Sequence, residues 1–375
     1  MSQQLHPVRT FDLHRSLAGI EAEITAAIQR VIRSGQLILG PEGRSFEQEF
    51  ASYVGAAAAV GVASGTDALI LALKAVGVGF GDEVITVANT AVPTASAIRA
   101  VGAIPRFVDV DCQTLLIDAA QTETAINQRT RAIIPVHLFG LPVPMEPLLD
   151  IARRHGLRII EDCAHAHGAR EGGVHAGTTG DVGCFSFYPT KNVGALGDAG
   201  ICVTQNAEIA DRLRQMRMYG FENDRIAMCD GLNSRLDEIQ AAVLRVRLRH
   251  LDTSLVKRRA IAALYLEELS DLPIVLPPQC ENRTHAWHQF VIRVPNRAAM
   301  MNTLAQLGVG CGIHYEHPLH RMPPFAPWFP AANRLPVTEQ AATEILSIPI
   351  WPELQSDECA RVVTAVRSAA ERGSA

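Results

Sequence analysis

A run of small polar residues, Ala63-Ser64-Gly65-Thr66-Asp67, follows a short apolar strand pattern at 60–62. Small side chains leave the backbone N–H groups at the start of the next helix accessible, and such a helix start binds phosphate well. The alternative interpretation is an ordinary helix start in which Ser64 or Thr66 caps the first turn. Taken alone, this segment favours the structural interpretation.

Two charged side chains follow apolar strand patterns further along the chain. Asp162 ends the run Ile159-Ile160-Glu161-Asp162, and Lys191 follows Pro189 in a loop. A carboxylate at a strand end can keep a ring nitrogen protonated, because a nearby negative charge favours the cation. A lysine in a restrained loop can serve as an amine nucleophile. Each residue also has an ordinary interpretation, since Asp162 could be a solvated or helix-capping acid and Lys191 a surface lysine.

A fourth polar segment, Gly231-Leu232-Asn233-Ser234-Arg235, precedes a long helical pattern. Capping by Asn233 or Ser234 is the simplest interpretation, although Asn233 could have a second role. The order of the features matters more than any one of them. A phosphate-binding turn, a strand-end Asp162 and a restrained Lys191 together form a cradle for a flat, anionic cofactor that contains a pyridine ring.

Apolar, β-branched runs of strand length recur through the first half of the chain and alternate with helical patterns at 67–76 and 145–155. Strands buried on both faces and separated by helices are typical of an α/β fold with a mostly parallel central sheet flanked by helices. The carboxyl ends of such strands gather the site residues at one edge. The predicted strands are 83–88, 104–110, 132–138, 158–163, 183–188 and 200–204.

The alternation of strand and helix patterns ends near residue 234. Helical patterns at 235–250 and 256–269 precede a break at 273–278, and a strand is predicted near 288–294. We therefore predict a large cofactor-binding domain at 1–250 with an N-terminal helical segment, and a smaller C-terminal α+β domain at 251–375.

Composition excludes several classes of function. The chain has 375 residues, 48% of them hydrophobic, a net charge of -5 and no basic stripe, so no nucleic-acid partner is expected. No apolar stretch is long enough to span a bilayer and the polar start at 1–15 is not a signal peptide, which predicts a cytoplasmic protein without a membrane partner. The eight cysteines are scattered singly, which predicts free thiols and no metal site.

The joint order of these motifs resembles the DegT/DnrJ/EryC1/StrS family of sugar aminotransferases, which have the type I fold of pyridoxal-phosphate-dependent aminotransferases. The resemblance covers nearly the whole chain. It rests on Ile38-Leu39-Gly40-Pro41-Glu42, Ser64-Gly65-Thr66-Asp67-Ala68-Leu69, Phe107-Val108-Asp109-Val110-Asp111, and the segments 161–169, 185–192, 233–238, 312–315 and 346–350.

The resemblance implies a role for each site residue. Lys191 carries pyridoxal 5'-phosphate as a Schiff base and is the catalytic residue, and Asp162 pairs with the pyridinium nitrogen. The phosphate contacts are implied for Gly65, Thr66 and Ser186, together with Asn233 from the neighbouring subunit of a homodimer whose active sites are shared. The segment with His314 and Tyr315 resembles the sugar-facing segment, to which Tyr188 is added as a further substrate contact.

Two positions depart from the family pattern. His165 stands where the family often has glutamine, three residues after the aspartate and near the phenolic oxygen of the cofactor. An imidazole can donate there too, so we expect a retained contact with altered pH behaviour. Ala91 stands where the family usually has an aromatic residue that stacks on the cofactor ring. Either another side chain covers that ring face or the site is more open.

The implied reaction is amino transfer from glutamate or glutamine to the 3-keto or 4-keto group of a nucleotide-linked deoxy sugar, for amino-sugar biosynthesis. Lys191 would move the proton between donor and cofactor carbons, and Asp162 would keep the ring protonated. The alternatives are an aminotransferase for an inositol-derived ketone and a non-catalytic regulatory protein that binds the cofactor. Dehydration of the sugar is ranked low, because Lys191 is present and the cysteines do not cluster.

Overall fold

The computed structural model describes residues 6–222, 225–330 and 332–373. Its helices are α1 Leu13–Ala18, α2 Glu21–Ser34, α3 Pro41–Val54, α4 Gly65–Ala75, α5 Val92–Ala100, α6 Ala119–Thr124, α7 Met145–His155, α8 Ala207–Met216, α9 Glu238–Arg249, α10 Leu251–Glu268, α11 Arg297–Gln306, α12 Pro336–Glu344 and α13 Ser356–Gly373. Its strands are β1 Ala58–Val62, β2 Glu83–Val87, β3 Ile104–Val108, β4 Thr130–Ile134, β5 Arg158–Asp162, β6 Arg170–Glu171, β7 Val174–His175, β8 Val182–Ser186, β9 Gly200–Thr204, β10 Arg283–Thr284, β11 Phe290–Arg293 and β12 Ile345–Ile348.

The central sheet has seven strands in the order β1-β9-β8-β5-β4-β2-β3. Strands β2, β3, β4, β5 and β8 pair in parallel, whereas β9 is antiparallel to both of its neighbours, β1 and β8. Their interior residues are almost all buried, as expected for a sheet that helices cover on both faces. The predicted α/β fold with a mostly parallel sheet is confirmed.

The predicted strands match the observed ones, with ends shifted by a few residues. The pattern at 104–110 extends two residues beyond β3, because Val110 leaves the sheet and forms an isolated bridge with Ile117. Similarly, the apolar pattern at 132–138 runs past the end of β4 into a tight turn. Apolar residues in such turns are buried by other contacts, so the pattern does not mark the strand end.

A second, two-stranded antiparallel sheet joins β11 to β12 in the C-terminal part of the chain. Its apolar core includes Tyr265, Phe290, Trp351 and Val362. Val8, near the start of the chain, is buried in the same core. The smaller α+β unit predicted at 251–375 therefore receives a contribution from the N-terminal segment, and the boundary near 250 stays a prediction.

Two further features bear on the expectations from composition. The eight cysteines are free thiols, four of them buried, and Cys112 is exposed. Within the part of the chain that the structure describes, no helix combines the length and apolar character needed to cross a bilayer.

Helix α9 begins three residues later than the sequence pattern predicts. The predicted caps Asn233 and Ser234 lie ahead of it, and its N-cap residue, Asp237, makes no side-chain capping bond. The prediction of a cap at Asn233 or Ser234 is therefore wrong. Ser234 is instead buried and bonded to the segment that follows β1, which fixes 231–237 as a connecting segment rather than as the first turn of a helix.

The first residue of α9 caps a different helix. The buried carboxylate of Glu238 accepts the backbone N–H groups of Gly40 at 2.9 Å, Glu42 at 2.8 Å and Gly43 at 2.8 Å. These donors belong to the start of α3, whose N-cap glycine has no side chain to bond them. A negative charge at a helix N-terminus is favourable, so Glu238 ties α9 to α3.

We expect Glu238→Ala to lower the free energy of unfolding by about 3 kcal/mol, because it leaves buried N–H groups of α3 without acceptors. Urea denaturation followed by far-UV circular dichroism measures the change. Glu267→Ala, which removes an exposed acid from α10, is the control and should change stability by less than about 0.5 kcal/mol. Equal midpoints for the two variants would show that the cap contributes nothing.

Candidate active site

A cavity of about 230 Å³ opens at the carboxyl edge of the central sheet. Ligands of open α/β sheets bind at this edge, where the loops that follow neighbouring strands converge. Residues at or after the ends of five strands, β1, β2, β4, β5 and β8, line the wall. In the order of these strands they are Ser64, Gly65 and Thr66; Thr90, Ala91, Pro93 and Thr94; Val136; Asp162, Ala164 and His165; and Ser186, Tyr188 and Lys191.

The start of α4 forms one end of the cavity. Ser64 is the N-cap residue, and its hydroxyl accepts the N–H of Asp67 at 3.1 Å. Among the described residues, no acceptor engages the N–H groups of Gly65 and Thr66, which precede the first internal bond of the helix. These two donors and the positive end of the helix suit a phosphate group.

Gly65 is required here by a close approach of two chain segments. A Cβ atom at this position would lie 2.5 Å from Cβ and 3.0 Å from Cα of Ser186. The glycine therefore lets the end of β8 approach the start of α4. That approach places the Ser186 hydroxyl beside the free N–H groups, and the three predicted phosphate contacts of this subunit lie together.

Ser234 supports the same end of the cavity from behind. Its hydroxyl donates to Oδ2 of Asp67 at 2.7 Å and accepts the N–H of Ala63 at 3.1 Å. The predicted partner-subunit contact, Asn233, is exposed on this chain and does not line the cavity. The two adjacent polar residues therefore have different environments: Ser234 is buried, whereas Asn233 is exposed.

Asp162 is buried at the end of β5. Its Oδ2 accepts the hydroxyl of Thr94 at 2.8 Å, and its Oδ1 accepts the N–H of Ala164 at 3.2 Å. Burial raises the pKa of this carboxyl group, and the two hydrogen bonds and the charge of Lys191 act in the opposite direction. A buried carboxylate with so little compensation favours a cation placed beside it.

Lys191 also lines the cavity, in a turn where its N–H donates to the carbonyl of Tyr188 at 2.8 Å. Burial lowers the pKa of its amine to about 8, even though the charge of Asp162 raises it. A fraction of the amine is therefore neutral, and so nucleophilic, near neutral pH. The chain has three lysines, and the other two, Lys74 and Lys257, do not line this cavity.

His165 lines the cavity beside Asp162. Its Nδ1 accepts the N–H of Phe139 at 3.2 Å, which leaves the ring proton on Nε2. Burial is the main cause that moves its pKa well below the usual value, so this imidazole is neutral at physiological pH. The donor role expected at this position is available, and the lowered pKa of the ring places its altered pH behaviour under acidic conditions.

The structure gives the three predicted substrate contacts different positions relative to the cavity. Tyr188 lines the cavity with half of its surface exposed. The Tyr315 hydroxyl lies 3.4 Å from Nε2 of His165. His314 is held by the hydroxyl of Ser347, 2.8 Å from its Nδ1, and burial lowers its pKa to about 4. His314 and Tyr315 are absent from the cavity lining, although Tyr315 reaches it through His165.

Sequence reasoning missed the residues that hold the predicted ones in place. Thr94 bonds Asp162 from the start of α5. Asn192 donates to the carbonyl of Ala286 at 2.9 Å and lies 3.3 Å from Nδ1 of His288, whose ring is 4.4 Å from that of His165. Thr94 could have been found as a polar residue after a buried strand. His288 has no local signal, because its contacts come from distant segments.

The cavity wall at Ala91, where an aromatic residue was expected, is formed by small residues. Ala91, Thr90 and Pro93 line one side of the cavity, and Ala164 lines another. Tyr188 is the one aromatic residue among the lining residues apart from the imidazole of His165. Among the described residues that line the cavity, Tyr188 and His165 thus carry the only aromatic rings, and the side at Ala91 is wider than an aromatic residue there would leave it.

A buried group of potential metal ligands lies behind the site. His137, Glu161 and Cys163 bring ligand atoms within 4.8 Å of one another. The carboxylate of Glu161 already accepts three backbone N–H groups, from 177, 179 and 180, and lies 2.9 Å from the His137 ring. These bonds occupy both carboxylate oxygens, so we interpret the group as a structural network that holds the end of β5.

Comparison with known proteins shows which family the chain resembles. The sequence profile of the DegT/DnrJ/EryC1/StrS aminotransferase family matches residues 18–367. The dTDP-3-amino-3,4,6-trideoxy-alpha-D-glucose transaminase of Micromonospora megalomicea subsp. nigra is 46% identical over 92% of this chain and 94% of its own. The UDP-N-acetyl-3-dehydro-alpha-D-glucosamine 3-aminotransferase of Acidithiobacillus ferrooxidans is 43% identical over 95% and 96%. The crystal structure of S. venezuelae DesV in complex with a ketimine intermediate superposes with a TM-score of 0.96, at 44% identity, over 98% of this chain and 100% of that one.

Proposed function

The chain belongs to the DegT/DnrJ/EryC1/StrS aminotransferase family, and from this premise we propose that it uses pyridoxal 5'-phosphate to aminate a nucleotide-linked keto deoxy sugar in the cytoplasm. The amino donor is glutamate or glutamine. The observation that carries the proposal is one cavity whose walls bear free helix N–H groups at Gly65 and Thr66, a buried Asp162 and a partly neutral Lys191. The names of the similar transaminases support position 3 of the sugar as the site of amination.

The residues present fit the cofactor at each of its functional groups. Gly65, Thr66 and Ser186 would hold the phosphate, in the space that a Cβ at Gly65 would fill. Asp162 would hold a protonated ring nitrogen, which compensates its buried charge. His165 would donate from Nε2 toward the phenolic oxygen. Lys191 would be the point of covalent attachment.

The chain's own groups then divide the acid–base work. When bound, the cofactor supplies an electron-accepting ring that stabilises negative charge on the carbon that loses its proton. Lys191 Nζ takes up that proton and returns it, which a pKa of about 8 permits near neutral pH. Asp162 stays ionised beside the ring nitrogen, and the Thr94 hydroxyl keeps its carboxylate oriented.

Substrate contacts come from the mouth of the cavity. We infer that Tyr188, His314 and Tyr315 face the sugar, since Tyr188 is exposed at the opening and Tyr315 approaches His165. The lowered pKa of His314, about 4, keeps its ring uncharged and suited to neutral hydroxyl groups. The wider wall at Ala91 leaves additional space on one side of the site.

We propose that the active unit is a homodimer with shared sites. Asn233 is exposed, although its neighbour Ser234 is bonded to the phosphate-binding turn. An exposed amide next to that turn can reach the site of a second subunit related by a two-fold axis.

We also propose that the chain divides into a large domain at 1–250 and a small domain at 251–375.

The function is tested with purified protein, pyridoxal phosphate, glutamate or glutamine, and a panel of ketones read by mass spectrometry. The panel holds 3-keto and 4-keto nucleotide sugars and an inositol-derived ketone. We expect amination of a 3-keto deoxy sugar. Amination of the inositol-derived ketone alone would replace the sugar assignment, and a bound cofactor with no amination of any ketone would favour a regulatory protein.

Gly65→Ala is expected to weaken binding of pyridoxal phosphate by roughly ten- to a hundredfold, because the added Cβ must displace Ser186 from the start of α4. The measurement is a titration of cofactor-free protein followed by visible absorbance. Gly79→Ala is the matched control, since a Cβ there meets nothing within 4 Å. Affinities within twofold for the two variants would place the phosphate elsewhere.

The rate at which cofactor-free protein captures pyridoxal phosphate should rise with pH and level off above about 8, where the Lys191 amine is neutral. Because the charge of Asp162 raises the pKa of Lys191, Asp162→Asn should shift this profile to lower pH. Stopped-flow absorbance across the pH range measures both curves. A flat wild-type profile would mean that another group limits capture.

A further inference from the structure

A second cavity, of about 270 Å³, borders Lys191 away from the predicted phosphate-binding turn. It lies between α1, the adjoining ends of α9 and α10, and the segment that follows β12. Neither the family resemblance nor the proposed reaction gives it a role. Lys191 is the one residue that lines both this cavity and the cofactor cavity.

The lining of this cavity carries excess positive charge. Arg247, Lys257 and Arg258 have no ion pair with an acid among the described residues, and Glu353 is the one carboxylate in the wall. Arg15 is already paired with Glu358 at 2.7 Å, and Nε2 of His250 lies 3.2 Å from a carboxylate oxygen of Glu23. Apart from Lys191, three lining cations without an ion pair among the described residues therefore face a single acid.

The hydrogen bonds of this cavity also leave buried donors without acceptors among the described residues. Arg258 is only 3% exposed, and its Nη1 donates to the carbonyls of Trp287 at 2.9 Å and Ile350 at 2.8 Å, yet its Nε has no partner among the described residues. Nη1 of Arg247 and the hydroxyl of Ser16 are buried without partners as well. The matching unpaired acceptor is one oxygen of Glu353.

Such an arrangement is costly without a further acceptor. A buried donor without a partner costs about 1–3 kcal/mol, and more when it is charged. Burial lowers the pKa of Arg258 to about 10, so its guanidinium remains a cation at neutral pH. Guanidinium groups bind carboxylates and phosphates through charge-assisted hydrogen bonds, which are the stronger kind.

We propose that this cavity binds a small oxyanion, of the carboxylate or phosphate class, between Ser16, Arg247 and Arg258. The bound anion links α1 to α9 and α10 and lies beside the loop of Lys191. The site stands independently of the proposed reaction, because none of its three donors lines the cofactor cavity. Its source is a dicarboxylate such as 2-oxoglutarate or a free phosphate, which the experiment separates.

The test uses the full chain loaded with pyridoxal phosphate. Inorganic phosphate and 2-oxoglutarate are titrated separately by isothermal calorimetry and thermal unfolding, against sodium chloride of equal ionic strength. We expect at least one oxyanion to bind and to raise Tm. Arg247→Gln should weaken that binding by roughly tenfold or more, as loss of a charge-assisted bond implies.

Three variants serve as controls and comparisons. Arg249→Gln removes an exposed arginine that lies in α9, as Arg247 does, but outside the cavity, and it should bind the anion as tightly as the wild type does. Lys257→Gln changes an exposed lining residue, so it remains informative if Arg247→Gln fails to fold, and it should weaken binding at least twofold. Ser186→Ala reports on the cofactor cavity and should leave the affinity unchanged.

Several results would overturn the site. One is no binding of either inorganic phosphate or 2-oxoglutarate beyond the chloride control. Another is unchanged affinity in both Arg247→Gln and Lys257→Gln. A third is loss of binding in Ser186→Ala with retention in the two lining variants, which would place the anion at the phosphate end of the cofactor cavity. The anion that binds most tightly identifies the source.

Discussion

Lys191→Ala should reduce amino transfer by at least about 10³-fold, which corresponds to about 4 kcal/mol in activation free energy, and should remove the visible absorbance of the attached cofactor. Lys191 supplies the one lysine amine in the cavity wall, so the variant loses the attachment point and the proton carrier together. Steady-state rates and absorbance spectra of the purified variants measure the two losses.

The matched control for Lys191→Ala is Lys74→Gln, which changes a lysine in the last turn of α4 outside the cavity. It should retain the wild-type rate and spectrum. Circular dichroism and thermal unfolding must show that both variants fold. A folded Lys191→Ala protein that keeps more than a tenth of the wild-type rate would mean that the nucleophile has been misassigned.

Asp162→Asn should lower kcat by about 10²- to 10⁴-fold while leaving the fold intact, because the amide has the shape of the carboxylate but not its charge. Without that charge the ring nitrogen loses its proton, and the ring accepts electrons poorly. The cofactor should still attach to Lys191, with a shifted absorbance band. Attachment with failed turnover separates this variant from Lys191→Ala.

Two comparisons make the Asp162 result specific. Thr94→Val keeps the charge but removes the hydroxyl bonded to Oδ2, so we expect a smaller loss, of roughly tenfold. Asp211→Asn changes an exposed acid on α8 and should have no effect. An Asp162→Asn protein with wild-type kcat would show that the buried carboxylate serves the structure alone.

The strands that position the site could be predicted from the sequence, because their apolar runs are buried on both faces and hence continuous. The starts of β2 and β5 come directly from this pattern. Their ends are less clear, since apolar residues continue into buried turns. The start of α9 was misplaced because Asn233 and Ser234 resemble a cap, whereas the bond from Ser234 to Asp67 joins segments far apart in sequence.

In the candidate site, too, local sequence predicts some features, whereas others depend on contacts between distant segments. Gly65 and Lys191 follow strands and Asp162 ends one, so local sequence and a mostly parallel sheet suffice to bring them together. The lowered pKa of Lys191 could not be predicted, because it depends on burial beneath distant loops. His288 and the second cavity at Arg258 could not be predicted from the sequence for the same reason. Their contacts join segments that no local sequence pattern relates.

The departure at His165 shows what an unusual residue can and cannot reveal. A histidine in place of glutamine predicted a retained contact with altered pH behaviour. The structure keeps the ring in a buried place where Phe139 fixes its tautomer and burial keeps it neutral. The residue type thus predicted the hydrogen-bond donor, whereas the environment determined its charge.

The central claim is that Lys191 carries the cofactor, and the scarcity of lysine makes it directly testable. The purified protein is loaded with pyridoxal phosphate, reduced with borohydride, digested and examined by peptide mass spectrometry. The three lysines of the chain are the side chains to distinguish. We predict the cofactor mass on the peptide that contains Lys191 and none on those with Lys74 or Lys257. Cofactor on either of these, or on none of the three, would contradict the account.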